Sequence, residues 1–221
     1  MAAPDMHVGA VQALADQCLA LSELDLEIGS SGNASIRSHD TIAITASGST
    51  FAECTDSQKL SLVALRSGKT IAGAGASSDV DAHRRIYAAR PDVACIIHTH
   101  AHFVTLAAML GQEIPALCTM HADYFGTDIP IVPYANHRSA GFGFPHHFLN
   151  GTAFLLQNHG GLVLLPGDAI GRAAKTVSAL VEVCHLYCDL VKARPRSEWT
   201  TVPSADAIAL HSYYANSYGR R

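Results

Sequence analysis

The chain contains 221 residues, of which 48% are hydrophobic and 15% are charged, and its formal net charge is -4. This length and composition predict one domain with a large hydrophobic core, and the sparse charge favours a surface partly covered by partner subunits. The lack of a basic block argues against nucleic acid or an acidic membrane surface as a partner.

The cysteines and the N-terminal residues predict a reduced, cytoplasmic compartment. The chain has six cysteines, and no two of them form a Cys-x-x-Cys pair. The N-terminus has no basic region, and Asp16 interrupts the first apolar segment. We therefore expect neither a signal peptide nor a transmembrane span.

Hydrophobic periodicity in the first half of the chain predicts helices that alternate with short strands. We expect helices at residues 7–27 and 80–90, and strands at residues 34–37, 41–45 and 62–65. Small residues dominate three connections, which we interpret as loops, at residues 28–33, 46–49 and 72–79.

The second half continues the alternation. We expect strands at residues 93–98, 115–120, 129–132, 153–157 and 162–165, and helices at residues 103–110, from residue 168 onwards, and at 204–216. Residues 135–151 are rich in glycine and histidine, and we expect them to be irregular. This order predicts a single domain over residues 1–221, with a three-layer α/β/α architecture and a central mixed, largely antiparallel sheet.

Histidines stand at the ends of two predicted strands. In a strand, the period of two places the side chains of His98 and His100 on the same face, where their ring nitrogens can converge on one divalent metal. His159 also follows an apolar run. Three neutral nitrogens leave one coordination position open, as in catalytic zinc sites, and the alternative is that these are ordinary histidines at strand ends and turns.

The small-residue loops offer a second candidate site. Backbone N–H groups, hydroxyls and a helix N-terminus together suit an anion such as a phosphate, whereas each loop alone is usually only a turn. The candidate residues for this phosphate site are Gly32, Asn33, Ser47, Gly48, Ser77 and Ser78.

Three titratable residues are candidates for proton transfer. Asp79 lies beside the third loop, and its alternative role is that of a helix cap. Asp123 lies in a polar interruption between predicted strands, where it could be only a turn carboxylate. Tyr218 lies in the C-terminal tail, where it could contribute only to surface packing.

Taken together, these motifs resemble the class II aldolase/adducin family from about residue 10 to residue 219. The motifs, in chain order, are Ser31-Gly32-Asn33-Ala34-Ser35, Ile44-Thr45-Ala46-Ser47-Gly48, Ser77-Ser78-Asp79 with His83 and Tyr87, His98-Thr99-His100-Ala101, and Gln157-Asn158-His159-Gly160. The family includes fuculose-phosphate and rhamnulose-phosphate aldolases, ribulose-5-phosphate 4-epimerases, dehydratases, decarboxylases and non-catalytic cytoskeletal proteins.

The resemblance implies a metal site and a phosphate site. It implies Zn2+ on His98, His100 and His159, although three histidines also accept Mn2+, Co2+ or Fe2+. It implies a phosphate held by the three small-residue loops. It further implies that the tail over residues 203–221 contributes to a neighbouring subunit's site in a homotetramer, with Tyr218 as an acid/base.

The resemblance also bears on the reaction. Asp79 matches the position of a glutamate acid/base in the fuculose-phosphate aldolases, and an aspartate there resembles the 4-epimerases. The segment His121-Ala122-Asp123-Tyr124-Phe125-Gly126 also resembles the 4-epimerases. In those enzymes, the aspartate that matches Asp123 transfers protons. The sequence therefore favours a ribulose-5-phosphate 4-epimerase-like enzyme that breaks and re-forms a C–C bond of a phosphorylated ketose.

Two departures from the epimerase pattern are relevant to the substrate. Thr45 stands where the bacterial 4-epimerases have a lysine near the phosphate. The irregular segment 135–151 replaces a regular helix and offers four further polar side chains, His137, Arg138, His146 and His147. The alternatives are an aldolase acting on a ketose 1-phosphate, a decarboxylase of the same family, and an adducin-like binding or scaffold domain.

Overall fold

The computed structural model describes residues 4–73, 75–134 and 150–217. Within these residues, the α-helices are α1 (Pro4–Ser22), α2 (Val80–Ala89), α3 (His102–Met109), α4 (Thr119–Phe125), α5 (Ala173–Ala193) and α6 (Ser204–Asn216). The strands are β1 (Asn33–Ser38), β2 (Thr41–Thr45), β3 (Leu60–Ala64), β4 (Thr70–Gly73), β5 (Val93–Thr99), β6 (Ile131–Val132), β7 (Ala153–Leu156) and β8 (Gly160–Pro166).

The strands form one eight-stranded sheet in the order β4-β3-β2-β1-β5-β8-β7-β6. All neighbouring strands pair antiparallel except β6 and β7, which are parallel. Tight turns account for the β1–β2 and β7–β8 pairs, because antiparallel strands need only a short connection. The sheet is therefore mixed and largely antiparallel, which confirms the prediction.

Helices cover both faces of this sheet. Along β5, Cys95 and Ile97 pack into a core with α1, α3 and α5, whereas Ile96 faces a second core that contains Ile86 and Tyr87 of α2. The strand period of two explains this division, since successive side chains point to opposite faces. The predicted three-layer α/β/α architecture is confirmed, and His98 lies on the α2 face of the sheet.

The strand predicted at residues 115–120 is wrong. Residues Thr119–Phe125 form helix α4 instead, and Ile114 makes only an isolated bridge to Ile129. The helix forms because its apolar face packs against α6, where Ala122 of α4 and Ala207 of α6 are fully buried in one small cluster. The motif containing Asp123 therefore lies on a helix and not in a turn between strands.

Strand β4 was not predicted. Its residues, Thr70–Gly73, lie at the edge of the sheet and all four are exposed, so they lack the apolar alternation typical of a buried strand. Helix α6 covers the predicted residues 204–216, and residues 218–221, which include Tyr218, lie outside the described residues. None of the described helices has the length and apolar character needed to cross a lipid bilayer.

Candidate functional site

One end of the sheet gathers most of the candidate residues. Because the neighbouring strands are antiparallel, β1 and β8 begin at the end where β2, β5 and β7 finish. Asn33 at the start of β1 pairs with His98 near the end of β5, and Gly160 starts β8 one residue after His159. The fold therefore brings together residues that are far apart in the sequence.

The three predicted metal ligands converge at this end. The Nε2 atom of His98 lies 2.7 Å from Nε2 of His100 and 3.0 Å from Nε2 of His159. One ring nitrogen from each histidine lies within 4.8 Å of the other two. Three nitrogens around one tetrahedral zinc ion are about 3.3 Å apart, since each Zn–N bond is about 2.0 Å long. The donor set therefore fits a divalent metal and could hold one.

The tautomer of His98 also suits a metal ligand. Its Nδ1 atom lies 3.0 Å from the Gly161 carbonyl oxygen, which only accepts hydrogen bonds, so Nδ1 donates and Nε2 carries the free lone pair. Burial, with a smaller contribution from His100, lowers the pKa of His98 to about 3, and the charge of Asp79 opposes this shift. His98 is therefore neutral at pH 7, as metal ligation requires.

A close backbone approach positions the third ligand. A Cβ atom at Gly160 would lie 2.5 Å from the Thr99 carbonyl oxygen and 3.2 Å from Cδ2 of His100. Only glycine fits there, because real Cβ atoms do not approach other atoms so closely. Gly160 thus allows β8 to start against the end of β5 and brings His159 to the other two histidines.

The small-residue loops also lie together. The N–H group of Ser47 donates to the Gly75 carbonyl at 3.1 Å, and the N–H group of Ser77 donates to the Thr45 carbonyl at 2.9 Å. Ser77 is buried, whereas Ser47 and Ser78 are exposed. These two loops meet at the N-terminus of α2, next to the start of β1, so the predicted phosphate residues form one region.

Thr45 is not available to a phosphate through its side chain. It is buried, and its Oγ1 atom accepts a hydrogen bond from the Ala34 N–H group at 3.2 Å. Thr45, which stands where the 4-epimerases have a lysine, therefore links the end of β2 to the start of β1 through its side chain.

Asp79 joins the phosphate region to the histidines. The side-chain amide of Asn33 donates to Oδ2 of Asp79 at 2.7 Å, and the negative charge of Asp79 acts on His98. Asp79 stands at the N-cap position of α2, but its side chain makes no capping hydrogen bond. Its carboxylate is turned towards β1, so the helix-cap interpretation does not account for this residue.

A buried polar network lies behind Asp79. The Ser35 hydroxyl is 2.7 Å from Nδ1 of His83 and 2.9 Å from the Tyr87 hydroxyl, which in turn donates to the Ser35 carbonyl at 3.0 Å. The carbonyl requires the tyrosine hydrogen, so the serine hydrogen points to Tyr87 and the His83 Nδ1 atom must donate to Ser35. His83 Nε2 then carries a lone pair, which is buried and lacks a hydrogen-bond partner within the described part of the chain.

Sequence reasoning singled out His83 and Tyr87 only as part of a family motif and assigned Ser35 no role. The available signal was the spacing of Asp79, His83 and Tyr87, which places all three on one face of a helix. Asn33 and Ser35 share one face of β1 for the corresponding reason in a strand. Burial lowers the pKa of His83 to about 4, while Asp79 opposes the shift.

Asp123 lies against α6. The ring of His211 donates from Nδ1 to the Asp123 backbone carbonyl at 2.9 Å, and burial raises the pKa of the Asp123 carboxyl, opposed by His211. Among the described residues, the group that could hold a metal consists of the three histidines and does not include Asp123, whose catalytic role stays a prediction. Several predicted contributors lie outside the described residues, namely His137, Arg138, His146, His147 and Tyr218.

Sequence comparison identifies the family of the chain. The Class II Aldolase and Adducin N-terminal domain matches residues 12–188. The chain is 34% identical over 147 residues to an L-fuculose phosphate aldolase of Escherichia coli (strain K12), covering 66% of this chain and 67% of that protein. It is 32% identical over 189 residues to a 5-methylthioribulose-1-phosphate/5-deoxyribulose-1-phosphate aldolase of Rhodospirillum rubrum, covering 83% and 82% of the two chains.

Solved structures share the fold. An L-fuculose 1-phosphate aldolase superposes with a TM-score of 0.81 at 24% identity, covering 97% of this chain and 98% of that chain. A putative aldolase/epimerase/decarboxylase from Klebsiella pneumoniae has a TM-score of 0.70 at 27% identity, with coverages of 93% and 96%. The chain belongs to the class II aldolase and adducin family. Its aldolase relatives support an enzyme of that family, and they do not confirm the epimerase subclass.

Proposed function

We propose that this protein is a metal-dependent aldolase that cleaves a ketose 1-phosphate into dihydroxyacetone phosphate and an aldehyde. The observation that carries the proposal is the convergence of the Nε2 atoms of His98, His100 and His159 beside the small-residue loops. The names of the relatives, which are aldolases of ketose 1-phosphates, support the lyase over the epimerase favoured by the sequence alone.

In this proposal, the loops bind the phosphate of the substrate. Gly32, Asn33, Ser47, Gly48, Ser77 and Ser78 are the residues assigned to it. The exposed hydroxyls of Ser47 and Ser78 and the N-terminus of α2 suit an anion, because hydroxyls donate hydrogen bonds and the helix end carries partial positive charge. Holding the phosphate fixes the ketose with its C2 and C3 oxygens towards the histidines.

His98, His100 and His159 would hold the metal, which we take to be zinc. When bound, the metal supplies Lewis-acid stabilisation of the negative charge that develops on the ketose oxygens as the C3–C4 bond breaks. Asp79 takes up a proton from solvent and delivers it to C3, and the Asn33 amide keeps the Asp79 carboxyl group oriented. We assign the proton that leaves the C4 hydroxyl to Tyr218 of a neighbouring copy, which requires a homo-oligomer such as the predicted homotetramer.

A 4-epimerase acting on ribulose 5-phosphate is the second candidate. It is favoured by an aspartate at position 79 and by the presence of Asp123. Burial raises the pKa of Asp123, and a raised pKa is suited to a carboxyl group that holds a proton for transfer. In that reaction, Asp123 and Tyr218 serve opposite faces of the cleaved bond.

One experiment separates the two candidates. Zinc-loaded protein is incubated with ketose 1-phosphates, and released dihydroxyacetone phosphate is measured by coupled NADH oxidation. A parallel incubation with ribulose 5-phosphate is analysed by chromatography for xylulose 5-phosphate. Release of dihydroxyacetone phosphate supports the aldolase, formation of xylulose 5-phosphate alone supports the epimerase, and neither product rejects both. Chelator-treated protein is the control for metal dependence.

A further inference from the structure

Two residues of β1 face helix α2 and bind it at two successive levels. The side-chain amide of Asn33 donates to Oδ2 of Asp79 at 2.7 Å, and the Ser35 hydroxyl lies 2.7 Å from Nδ1 of His83. Residues two apart in a strand are separated by about 6.6 Å, and residues four apart in a helix by a rise of about 6 Å. Because these spacings nearly match, both hydrogen bonds form at once between a strand and a helix that run side by side.

The level at Ser35 is buried and directional. Ser35 is fully buried, and the side chains of His83 and Tyr87, one helical turn apart, both reach its hydroxyl, at 2.7 and 2.9 Å. The other ring nitrogen of His83, Nε2, lacks a partner within the described part of the chain, so the bond to Ser35 is the one that orients the ring. Two directional bonds to one hydroxyl fix the rotation of α2 about its axis, which apolar contacts alone do not specify.

The level at Asn33 depends on this rotation. Asp79 stands at the N-cap position of α2 but makes no capping hydrogen bond with its side chain, so the helix end does not hold its carboxylate. Among the described residues, Oδ1 of the buried Asn33 has no hydrogen-bond partner, so the bond to Asp79 is the one that orients this amide. A slip of one residue along α2 would rotate Asp79 by about 100° and carry its carboxylate away from Asn33.

Strand β1 also connects the two levels to the candidate metal site. It pairs with β5, with Asn33 opposite His98 and Ser35 opposite Ile96. Asp79 lies close enough to His98 for its charge to act on that ring. Anchoring α2 on β1 therefore fixes the position of the Asp79 carboxylate relative to the histidines.

We propose that the Ser35 hydroxyl, bound by His83 and Tyr87, forms a clamp that positions Asp79 relative to the candidate metal site. Ser35, His83 and Tyr87 are then positioning residues, because these buried side chains contact one another and the backbone of β1. The inference rests on the proposed aldolase function for its kinetic test and adds residues that act through the proton donor.

Loss of the clamp should lower turnover only through Asp79. We expect Ser35→Ala, which removes one oxygen, and His83→Leu, which removes the ring donor, each to lower kcat for dihydroxyacetone phosphate release at least about tenfold, since small displacements of a catalytic group are costly. Combined with Asp79→Asn, the same substitutions should cost less than about a further twofold, because the group that they position is already removed. His83→Asn, which still offers a donor to Ser35, should keep kcat within about threefold of the unmodified chain.

Ile86→Val is the matched control for a general loss of stability. Ile86 lies on α2 between His83 and Tyr87, is 1% exposed and packs in the second core. The substitution weakens this packing without removing a polar group, so the midpoint of urea unfolding should fall while kcat stays within about twofold. If kcat follows the unfolding midpoint in all variants, or if the fold-losses are equal with and without Asp79→Asn, the residues have only a general structural role and the inference is overturned.

The side-chain amide of Asn33 gives a readout that needs no turnover. In protein labelled with 15N-asparagine, its NMR cross-peak is identified by its loss in Asn33→Ala. We expect this cross-peak to move in Ser35→Ala and His83→Leu to the position that it has in Asp79→Ala, and to stay in place in Ile86→Val. An unmoved cross-peak in Ser35→Ala overturns the inference, even where kcat falls. If the unmodified chain releases no dihydroxyacetone phosphate, the aldolase function fails, and the cross-peak alone decides whether the clamp positions Asp79.

Discussion

Asn33 lies directly opposite His98 in the antiparallel pairing of β1 with β5, and its amide donates a hydrogen bond to the Asp79 carboxylate 2.7 Å away. One side chain thus links the phosphate region, a candidate metal ligand and a candidate proton donor. Strand pairing fixes the positions of Asn33 and His98 at this end of the sheet. The phosphate region, the metal ligands and the proton donor involve different side chains, and each can be substituted separately.

Replacing Asp79 by asparagine should remove proton transfer and little else. Asparagine keeps the size of the side chain and an oxygen that accepts from Asn33, so the site should keep its shape. We expect kcat for dihydroxyacetone phosphate release to fall about 100-fold, the scale of general acid–base catalysis, with bound metal unchanged. Asp81→Asn is the matched control, because Asp81 lies on the same helix, is 71% exposed and pairs with Arg84. A loss below threefold in Asp79→Asn would show that another group carries the proton.

Replacing His159 by alanine should abolish metal binding. The two remaining nitrogens, on His98 and His100, are two ligands of a site that needs three or four. We expect the metal content, measured by inductively coupled plasma mass spectrometry, to fall from about one ion per chain to below about a tenth. Added zinc should raise the melting temperature of the unmodified chain and not that of the variant, since only a ligand that binds the folded state stabilises it.

His102→Ala supplies the control for this experiment. His102 continues the alternation of histidines, yet it is exposed and lies in α3, not among the converging nitrogens. Its variant should retain the metal. Loss of metal from His102→Ala, or its retention in His159→Ala, would contradict the assignment of His98, His100 and His159.

Two of the three histidines were predictable because they stand two residues apart at the end of an apolar strand. His100 lies one residue beyond β5, so strand geometry accounts for His98 and the contact between the two rings places His100. The third depends on pairing between β5 and β8, whose register sets His98 opposite Leu162. Local periodicity does not indicate which distant strands pair. His159 could therefore be proposed as a ligand because it follows an apolar run, as His98 does, but its position next to the other two histidines could not be predicted. The described helices other than α4, and most of the strands, were predictable from local periodicity.

The errors concern segments whose conformation is decided by distant partners. Residues Thr119–Phe125 are helical because Ala122 packs in one buried cluster with Ala207 of α6, which is far away in the sequence. Strand β4 has only exposed residues and is held by its pairing with β3 at the edge of the sheet. The network of Ser35 and His83 joins a strand to a helix across 48 residues, so no short motif reveals it.

The burial of His83 predicts a stability that falls in acid. The unfolded chain takes up a proton on this residue at a pKa near 6.5, whereas burial lowers the pKa in the folded state to about 4. Between these values, the unfolded state binds one more proton, so the free energy of unfolding decreases as the pH falls through this window. The total loss is about 3 kcal/mol from a difference of about 2.5 pKa units.

His83→Asn tests this titration. Asparagine can still donate from the position of Nδ1 to the Ser35 hydroxyl, but it cannot take up a proton. We expect the variant to be less stable at pH 7 by about 1–2 kcal/mol, because the rest of the ring is missing, and to lose about 3 kcal/mol less than the unmodified chain between pH 6.5 and 4. Urea unfolding in the presence of chelator measures both quantities. Equal losses in the two proteins would show that His83 is not the group responsible.

Replacing Gly32 by alanine should damage the fold and the metal site together. Gly32 has a φ angle of +99°, and a Cβ atom there would lie 2.9 Å from the His98 carbonyl oxygen. The added methyl therefore strains the backbone and pushes the end of β5, which carries the ligand. We expect a loss of about 2–3 kcal/mol in the free energy of unfolding and at least about tenfold weaker zinc binding.

Gly48→Ala separates the two effects, because Gly48 also has a positive φ, of +74°, but no atom of the residues that the structure describes lies within 4 Å of its added Cβ. That variant should lose only about 1 kcal/mol and keep its zinc affinity. Equal losses of stability and affinity in both variants would show that the strained backbone conformation, and not the contact between Gly32 and His98, is responsible.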